Sequence, residues 1–171
     1  MDDLKLIVEN INSKKLDLAL KQCEDYSVKE NIYLINNFIG VIYSLKNNQS
    51  LAENFFKKSH KLNEKFEDPL KNLYLINIKK KEYSEAINIA QKLINLNNKN
   101  DLFIYQLAYA YELNNDNLSA IEKYEKCKDL NGKNKLKALN NIGNIYLKSN
   151  KPKTSLKYFL EANEIAKNDK I

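Results

Sequence analysis

Leu51-Ala52-Glu53-Asn54-Phe55-Phe56, Glu85-Ala86-Ile87-Asn88-Ile89-Ala90 and Ser119-Ala120-Ile121-Glu122-Lys123-Tyr124 share one pattern. In each, a small residue is followed four positions later by a side chain that lands on the same face of a helix. Ala52, Ala86 and Ala120 stand 34 residues apart, and Ser155 is the next equivalent, one residue late. The extra residue fits the polar stretch Asn131-Gly132-Lys133-Asn134. A fixed period of this size marks a stack of like supersecondary units rather than a single irregular core.

Upstream of each small residue lies a second signature. Ile39-Gly40 precedes Tyr43, Leu107-Ala108 precedes Tyr111 and Ile142-Gly143 precedes Tyr146. An apolar residue, a small one and a tyrosine three later share one helical face; the small residue admits a partner helix and the ring fills the space beside it. The last unit carries the fullest set: Ile142, Gly143, Tyr146, Ser155, Phe159 and Ala162. The third departs from it, with Tyr74 where a small residue is expected and Asn77 where tyrosine is usual, but Tyr83-Ser84-Glu85-Ala86-Ile87 matches again.

On these residues the sequence resembles the tetratricopeptide repeat family over nearly its whole length. The resemblance implies an all-α fold, a right-handed α-solenoid of about five helix-turn-helix units in one domain. A degenerate first unit covers 1–32, recognised by Ala19, Cys23 and Tyr26; the others span 33–66, 67–100, 101–134 and 135–168. Asn47-Asn48, Lys80-Lys81, Asn114-Asn115 and Ser149-Asn150 separate the paired helices, where asparagine tolerates left-handed backbone. Asp101 and Pro152 stand at predicted helix starts. Pentatricopeptide repeats, which bind RNA, have a similar length, but the small residue–tyrosine pairing and the alanine-centred second helix fit the tetratricopeptide form better.

Composition agrees with helices and excludes several classes. Three glycines and two prolines are too few for the turns of a sheet protein. With 43% hydrophobic and 29% charged residues the chain has the makings of a folded core. No run approaches a membrane span and the start is acidic and polar, so no membrane insertion and a cytoplasmic location are expected. The net charge of +6 comes from lysine alone, because the chain has no arginine. The lysines are interspersed with acids, and arginine is the usual reader of phosphates and base edges, so a solvated surface is expected rather than a nucleic-acid interface.

Catalysis finds no footing in the sequence. His60 is the only histidine and is expected to face solvent, so neither a zinc site nor a histidine-based triad has partners. Glu122 and Glu125 read as a helix surface, and Gly40, Gly132 and Gly143 form no phosphate loop. Cys23 and Cys127 fall on apolar stripes and read as small buried hydrophobes. Neither a cofactor nor a metal is expected, and the chain is not expected to be an enzyme.

The family resemblance places a partner-binding groove on the first helices of the units. The candidates are Leu34, Asn37, Phe38 and Val41 in the second unit and Lys71, Asn72 and Leu75 in the third. The fourth offers Leu102, Tyr105, Gln106, Tyr109 and Glu112; the fifth offers Lys137, Asn140, Asn141, Asn144 and Lys148. Tyr105 and Tyr109 share a face as contact aromatics or as covers for neighbouring helices. Lys71, Lys137 and Lys148 favour an acidic protein or peptide. Some relatives clamp the acidic tails of heat-shock chaperones with lysine, asparagine, asparagine, lysine and arginine. Those positions here are Lys71, Leu75, Gln106, Lys137 and Asn141, where only the lysines agree, so strong chaperone-tail binding is not expected. Starting one unit earlier gives Asn37, Val41, Asn72, Leu102 and Gln106, a poorer fit.

Three functional readings follow: an interaction scaffold; a repeat module of a larger enzyme such as a glycosyltransferase or sulfotransferase; and a protein that self-associates. The last rests on Leu156, Phe159, Leu160 and Ile165, an apolar set on the final helix with only Asn168-Asp169-Lys170-Ile171 after it.

Overall fold

The computed structural model describes residues 2–26, 31–130 and 132–168. Ten helices and no strand occur among them: α1 (Asp2–Asn12), α2 (Leu16–Asp25), α3 (Ile32–Leu45), α4 (Gln49–Leu62), α5 (Asp68–Lys80), α6 (Tyr83–Leu96), α7 (Asp101–Leu113), α8 (Asn117–Asp129), α9 (Lys135–Lys148) and α10 (Pro152–Asn168). They fall into two compact units, Met1–Lys79 and Lys80–Ile171, divided at the end of α5.

Within each pair of helices the link is a tight turn with one left-handed residue. Lys14, Asn47, Lys81, Asn115 and Asn150 all have φ between 56° and 63°. After most of these turns the chain closes a bond back over six residues, as in Asn48 N to Tyr43 O at 2.9 Å and Lys151 N to Tyr146 O at 2.9 Å. This satisfies carbonyls that a helix end leaves open. Asparagine takes the left-handed conformation at small cost, whereas lysine does so against its Cβ. Lys81→Asn should therefore stabilise the protein by about 0.5–1 kcal/mol, read as a higher midpoint in urea with an unchanged slope.

Several helix starts are capped by the polar residues that precede them. Asn48, Asn100 and Asp116 accept from the backbone N–H of Leu51, Leu102 and Ser119 at 3.2, 3.1 and 3.1 Å. Asp101 itself is not the cap of α7. Its Oδ2 accepts from the backbone N and the Nδ2 of Asn134 at 2.8 and 3.1 Å, tying the start of α7 to the turn before α9. Asn134 of the polar stretch is thus buried, while Asn131 lies outside the described residues.

The unit Met1–Lys79 is organised around Ile7, Ala19, Cys23, Ile35, Ile39 and Ile42 from α1, α2 and α3. Against α3 lies α4, which buries Ala52 and Phe56. A Cβ on Gly40 would stand 2.6 Å from Cε1 of Phe56, so the missing side chain is what lets the ring lie on α3. Ser59 Oγ donates to Tyr33 O at 2.7 Å, and Tyr43 stacks on Phe55 with centroids 5.6 Å apart.

The unit Lys80–Ile171 repeats these devices. Ile104, Ala108, Ala120, Tyr124, Cys127, Ala138, Ile142 and Ile145 make its core across α7, α8 and α9. Gly143 lies under Phe159, where a Cβ would approach Cε1 to 2.5 Å, and Tyr146 stacks on Tyr158 at 5.6 Å. Ser155 takes the place of Ala52, Ala86 and Ala120 and is 1% exposed. Its Oγ has no hydrogen-bond partner among the described residues. Removing a buried unpaired hydroxyl relieves its desolvation, so Ser155→Ala should raise stability by about 1 kcal/mol in thermal or urea unfolding.

Candidate functional site

The expected binding residues of the unit Lys80–Ile171 lie on α7 and α9. On α7, Tyr105, Gln106, Tyr109 and Glu112 are half-buried and Leu102 is 40% exposed. On α9, Lys137, Asn140, Asn144 and Lys148 are exposed and Asn141 is half-buried. The Tyr105 and Tyr109 rings lie parallel with centroids 6.4 Å apart, and both also pack on the core cluster. They cover the core on one side and stay partly exposed on the other.

A polar network joins these residues through Tyr124, whose ring is fully buried. Tyr124 Oη donates to Glu112 Oε2 at 2.8 Å and accepts from Asn141 Nδ2 at 2.6 Å. Asn141 Nδ2 also lies 3.2 Å from Tyr105 Oη, whose ring tilts on Tyr124 with centroids 5.5 Å apart. Burial, with Glu112 adding to it against the opposing Asn141 bond, pushes the Tyr124 phenol far above its ordinary range. Burial likewise raises the phenol of Tyr105. These hydroxyls stay protonated in any ordinary buffer, so Tyr124 is a permanent donor to Glu112. Lys148 Nζ stands 3.8 Å from Glu112 Oε1, with the lysine side chain 75% exposed and the glutamate 16%.

In the unit Met1–Lys79 the expected set is divided. Asn37 is 5% exposed and accepts from Asn72 Nδ2 at 3.5 Å, so it is an interior residue between α3 and α5 and not a groove surface. The position repeats on an outward-facing helix face in the later units, but here Asn72 covers it. Leu34, Phe38, Val41 and Asn72 are half-buried, and Leu75 is 59% exposed. Lys71 is held by Asp68 at 3.0 Å and Glu67 at 3.2 Å. Burial works to lower its pKa, but these carboxylates outweigh that and leave the ammonium above its ordinary value. Its charge is already answered by acids three and four residues before it. Tyr74 and Asn77, the departures of the third repeat, are both buried, and Asn77 Nδ2 returns to Leu73 O at 2.8 Å.

On α10, Leu156 and Leu160 are 57% and 54% exposed and line a shallow groove of ≈ 410 Å³ with Lys153, Lys157, Glu161 and Glu164. Phe159 is not part of that face: it is half-buried and turned onto Gly143. Ile165 is half-buried, and residues 169–171 lie outside the described ones.

The groups weighed for chemistry have structural surroundings. His60 is half-buried rather than solvent-facing, with Nδ1 withdrawn from solvent. Glu125 accepts from Tyr158 Oη at 2.7 Å and pairs with Lys128 at 2.6 Å, joining α8 to α10, while Glu122 is exposed beside Lys123. Cys23 and Cys127 are buried, and burial raises both thiols to about 12, where the nucleophilic thiolate is scarce. Among the described residues no group of three or more histidine, cysteine or acidic side chains is placed to hold a metal ion. None of the described helices is long and apolar enough to cross a membrane.

The repeat pattern puts Tyr124 on the packing face of its helix and says nothing of its hydroxyl, which is the hub of this network. The available signal was chemical: the equivalent positions hold Phe56, Ala90 and Phe159, so Tyr124 alone brings a hydroxyl that burial obliges to find partners.

Comparison with known proteins bears on the fold and the repeat. The family model described as tetratricopeptide repeat matches residues 103–134 and 136–169. No curated protein sequence matches the chain. Among solved structures, MamA from Desulfovibrio magneticus RS-1, residues 41 to the end, superposes with a TM-score of 0.81 at 18% identity, covering 98% of this chain and 97% of that one. Another MamA crystal structure gives a TM-score of 0.81 at 23% identity over 95% of this chain and 96% of that one. At such identities the likeness speaks to the fold alone. Residues 103–134 and 136–169 are tetratricopeptide repeats, and the chain as a whole has the all-α, helix-turn-helix fold of these MamA structures.

Proposed function

We propose that this chain is an interaction scaffold that holds a protein or peptide partner on the first helices of its repeats, without catalysing a reaction. The observation that carries the reading is the outward face of α7 and α9. The stacked Tyr105–Tyr109 pair adjoins Asn141, with Asn140, Asn144 and Lys137 exposed beside them. Tyrosine offers large contact area for few frozen torsions, and side-chain amides complement a peptide backbone. The network behind them fixes Tyr105 and Asn141 before any partner arrives, which lowers the entropic cost of association. We include all five helix pairs, with boundaries at 33, 67, 101 and 135, in one interaction domain. An acidic partner has less support than the lysine count suggested, because Lys71 is already neutralised and Lys148 lies beside Glu112.

The test is capture from the source cell's lysate by the wild type and by Tyr105→Ala/Tyr109→Ala, with circular dichroism confirming that both are folded. A partner held by the first and lost by the second is expected. Equal retention would remove the binding site from this face.

Self-association is a second reading, favoured by the exposed Leu156 and Leu160 on α10. It predicts a mass by light scattering that rises with concentration and falls to the monomer value in Leu156→Lys/Leu160→Lys. A monomer at millimolar concentration would rule it out.

A further inference from the structure

Glu112 lies three residues beyond Tyr109 and seven beyond Tyr105, so the three side chains share one face of α7. Its carboxylate is largely withdrawn from water, with the side chain 16% exposed. Only half of it is satisfied. Oε2 accepts from Tyr124 Oη at 2.8 Å, whereas Oε1 has no donor within hydrogen-bond reach among the described residues, and its nearest cation is Lys148 Nζ at 3.8 Å. A carboxylate so placed gains most from a cation that brings its own N–H donors. Aromatic faces belong to the same cluster: the Tyr105 ring centroid is 5.5 Å from that of Tyr124, whose hydroxyl holds Glu112. Cations are attracted to such faces.

We propose that Glu112, with Tyr105 and Tyr109, forms a subsite for a cationic side chain of the partner, and that arginine is the preferred one. A guanidinium can donate to Oε1 while its plane lies on a tyrosine ring. An ammonium does the first but gains less from the second, and Lys148 already offers one. These 171 residues contain no arginine, so a second copy of them does not supply the occupant. The inference rests on the reading that the α7–α9 face is the binding face, and it gives that face a local preference opposite to the one its lysines suggested.

The test is a titration of the full ¹⁵N-labelled chain with Nα-acetyl-arginine methylamide, beside the lysine and glutamate counterparts, followed by NMR. The arginine probe is expected to shift the Asn141 side-chain amide and the backbone amides of 109–112 saturably, the lysine probe more weakly and the glutamate probe not at all. Glu112→Gln keeps an acceptor for Tyr124 and should weaken the arginine probe by about tenfold or more. Lys148→Ala removes the resident cation and should strengthen it. No saturable shift with arginine, equal binding in Glu112→Gln, or weaker binding in Lys148→Ala would each overturn the subsite. A partner lost from Tyr105→Ala/Tyr109→Ala but retained by Glu112→Gln would overturn it too, while leaving the scaffold reading intact. Tight, Glu112-dependent arginine binding in a protein that captures no partner would do the reverse.

Discussion

Gly40→Ala should destabilise the protein by about 1–3 kcal/mol, although alanine is the better helix former. In an open helix the exchange would gain up to about 1 kcal/mol from the reduced freedom of the unfolded chain. Here the new methyl would stand 2.6 Å from Cε1 and 2.7 Å from Cδ1 of Phe56, well inside contact distance. Phe56 is 1% exposed and has no open side to move toward, so the ring and the α3–α4 spacing must shift together. Gly143→Ala meets Phe159 in the same way, but that ring is only half-buried and has room to turn, so its cost should be smaller. The check is urea unfolding of Gly40→Ala, Phe56→Leu and the double variant. The two single losses should exceed the double loss by about 1 kcal/mol or more, as expected for groups in direct contact. Additive losses would mean that the close approach of α3 and α4 does not depend on the missing Cβ.

That glycine shows why so much of the fold is legible in the sequence. A repeat stack must place a small residue wherever two helices cross closely and a ring beside it, so the packing is written as a period in the chain. Gly40, Ala52, Ala86, Ala108, Ala120 and Gly143 are all buried at those crossings. The turn asparagines read equally well, because few other residues enter left-handed backbone cheaply. Lys14 carries no turn signal of its own, yet it stands 33 residues before Asn47 in the same conformation. Period rather than residue type is what marks it.

The candidate site was legible only in part, since exposure depends on what covers a position. Asn37 precedes Gly40 by three residues, as Asn140 precedes Gly143, yet Asn140 is exposed and Asn37 is buried against Asn72. The charge of Lys71 looked available in the sequence but is answered by Glu67 and Asp68 one turn and less away. Helical spacing made those i, i+4 and i, i+3 pairs readable; what it could not show was that both acids would turn to the same lysine.

Tyr124→Phe should cost about 1–3 kcal/mol while leaving the ring's packing unchanged, because one oxygen serves two partners. Without it, Glu112 loses its only hydrogen bond among the described residues and Asn141 Nδ2 keeps only the longer contact, 3.2 Å to Tyr105 Oη. A half-buried carboxylate left without its donor carries a desolvation cost that nothing offsets. The check is urea unfolding of Tyr124→Phe beside the wild type, where a lower midpoint with an unchanged slope is expected. Glu112→Gln in the Tyr124→Phe background should recover much of the loss at pH 7, because a neutral amide in that place is cheaper than an unpaired charge. A deficit not relieved by Glu112→Gln would assign the cost to Asn141 instead. In either case the two variants separate the charge from the amide in the network that joins α7, α8 and α9.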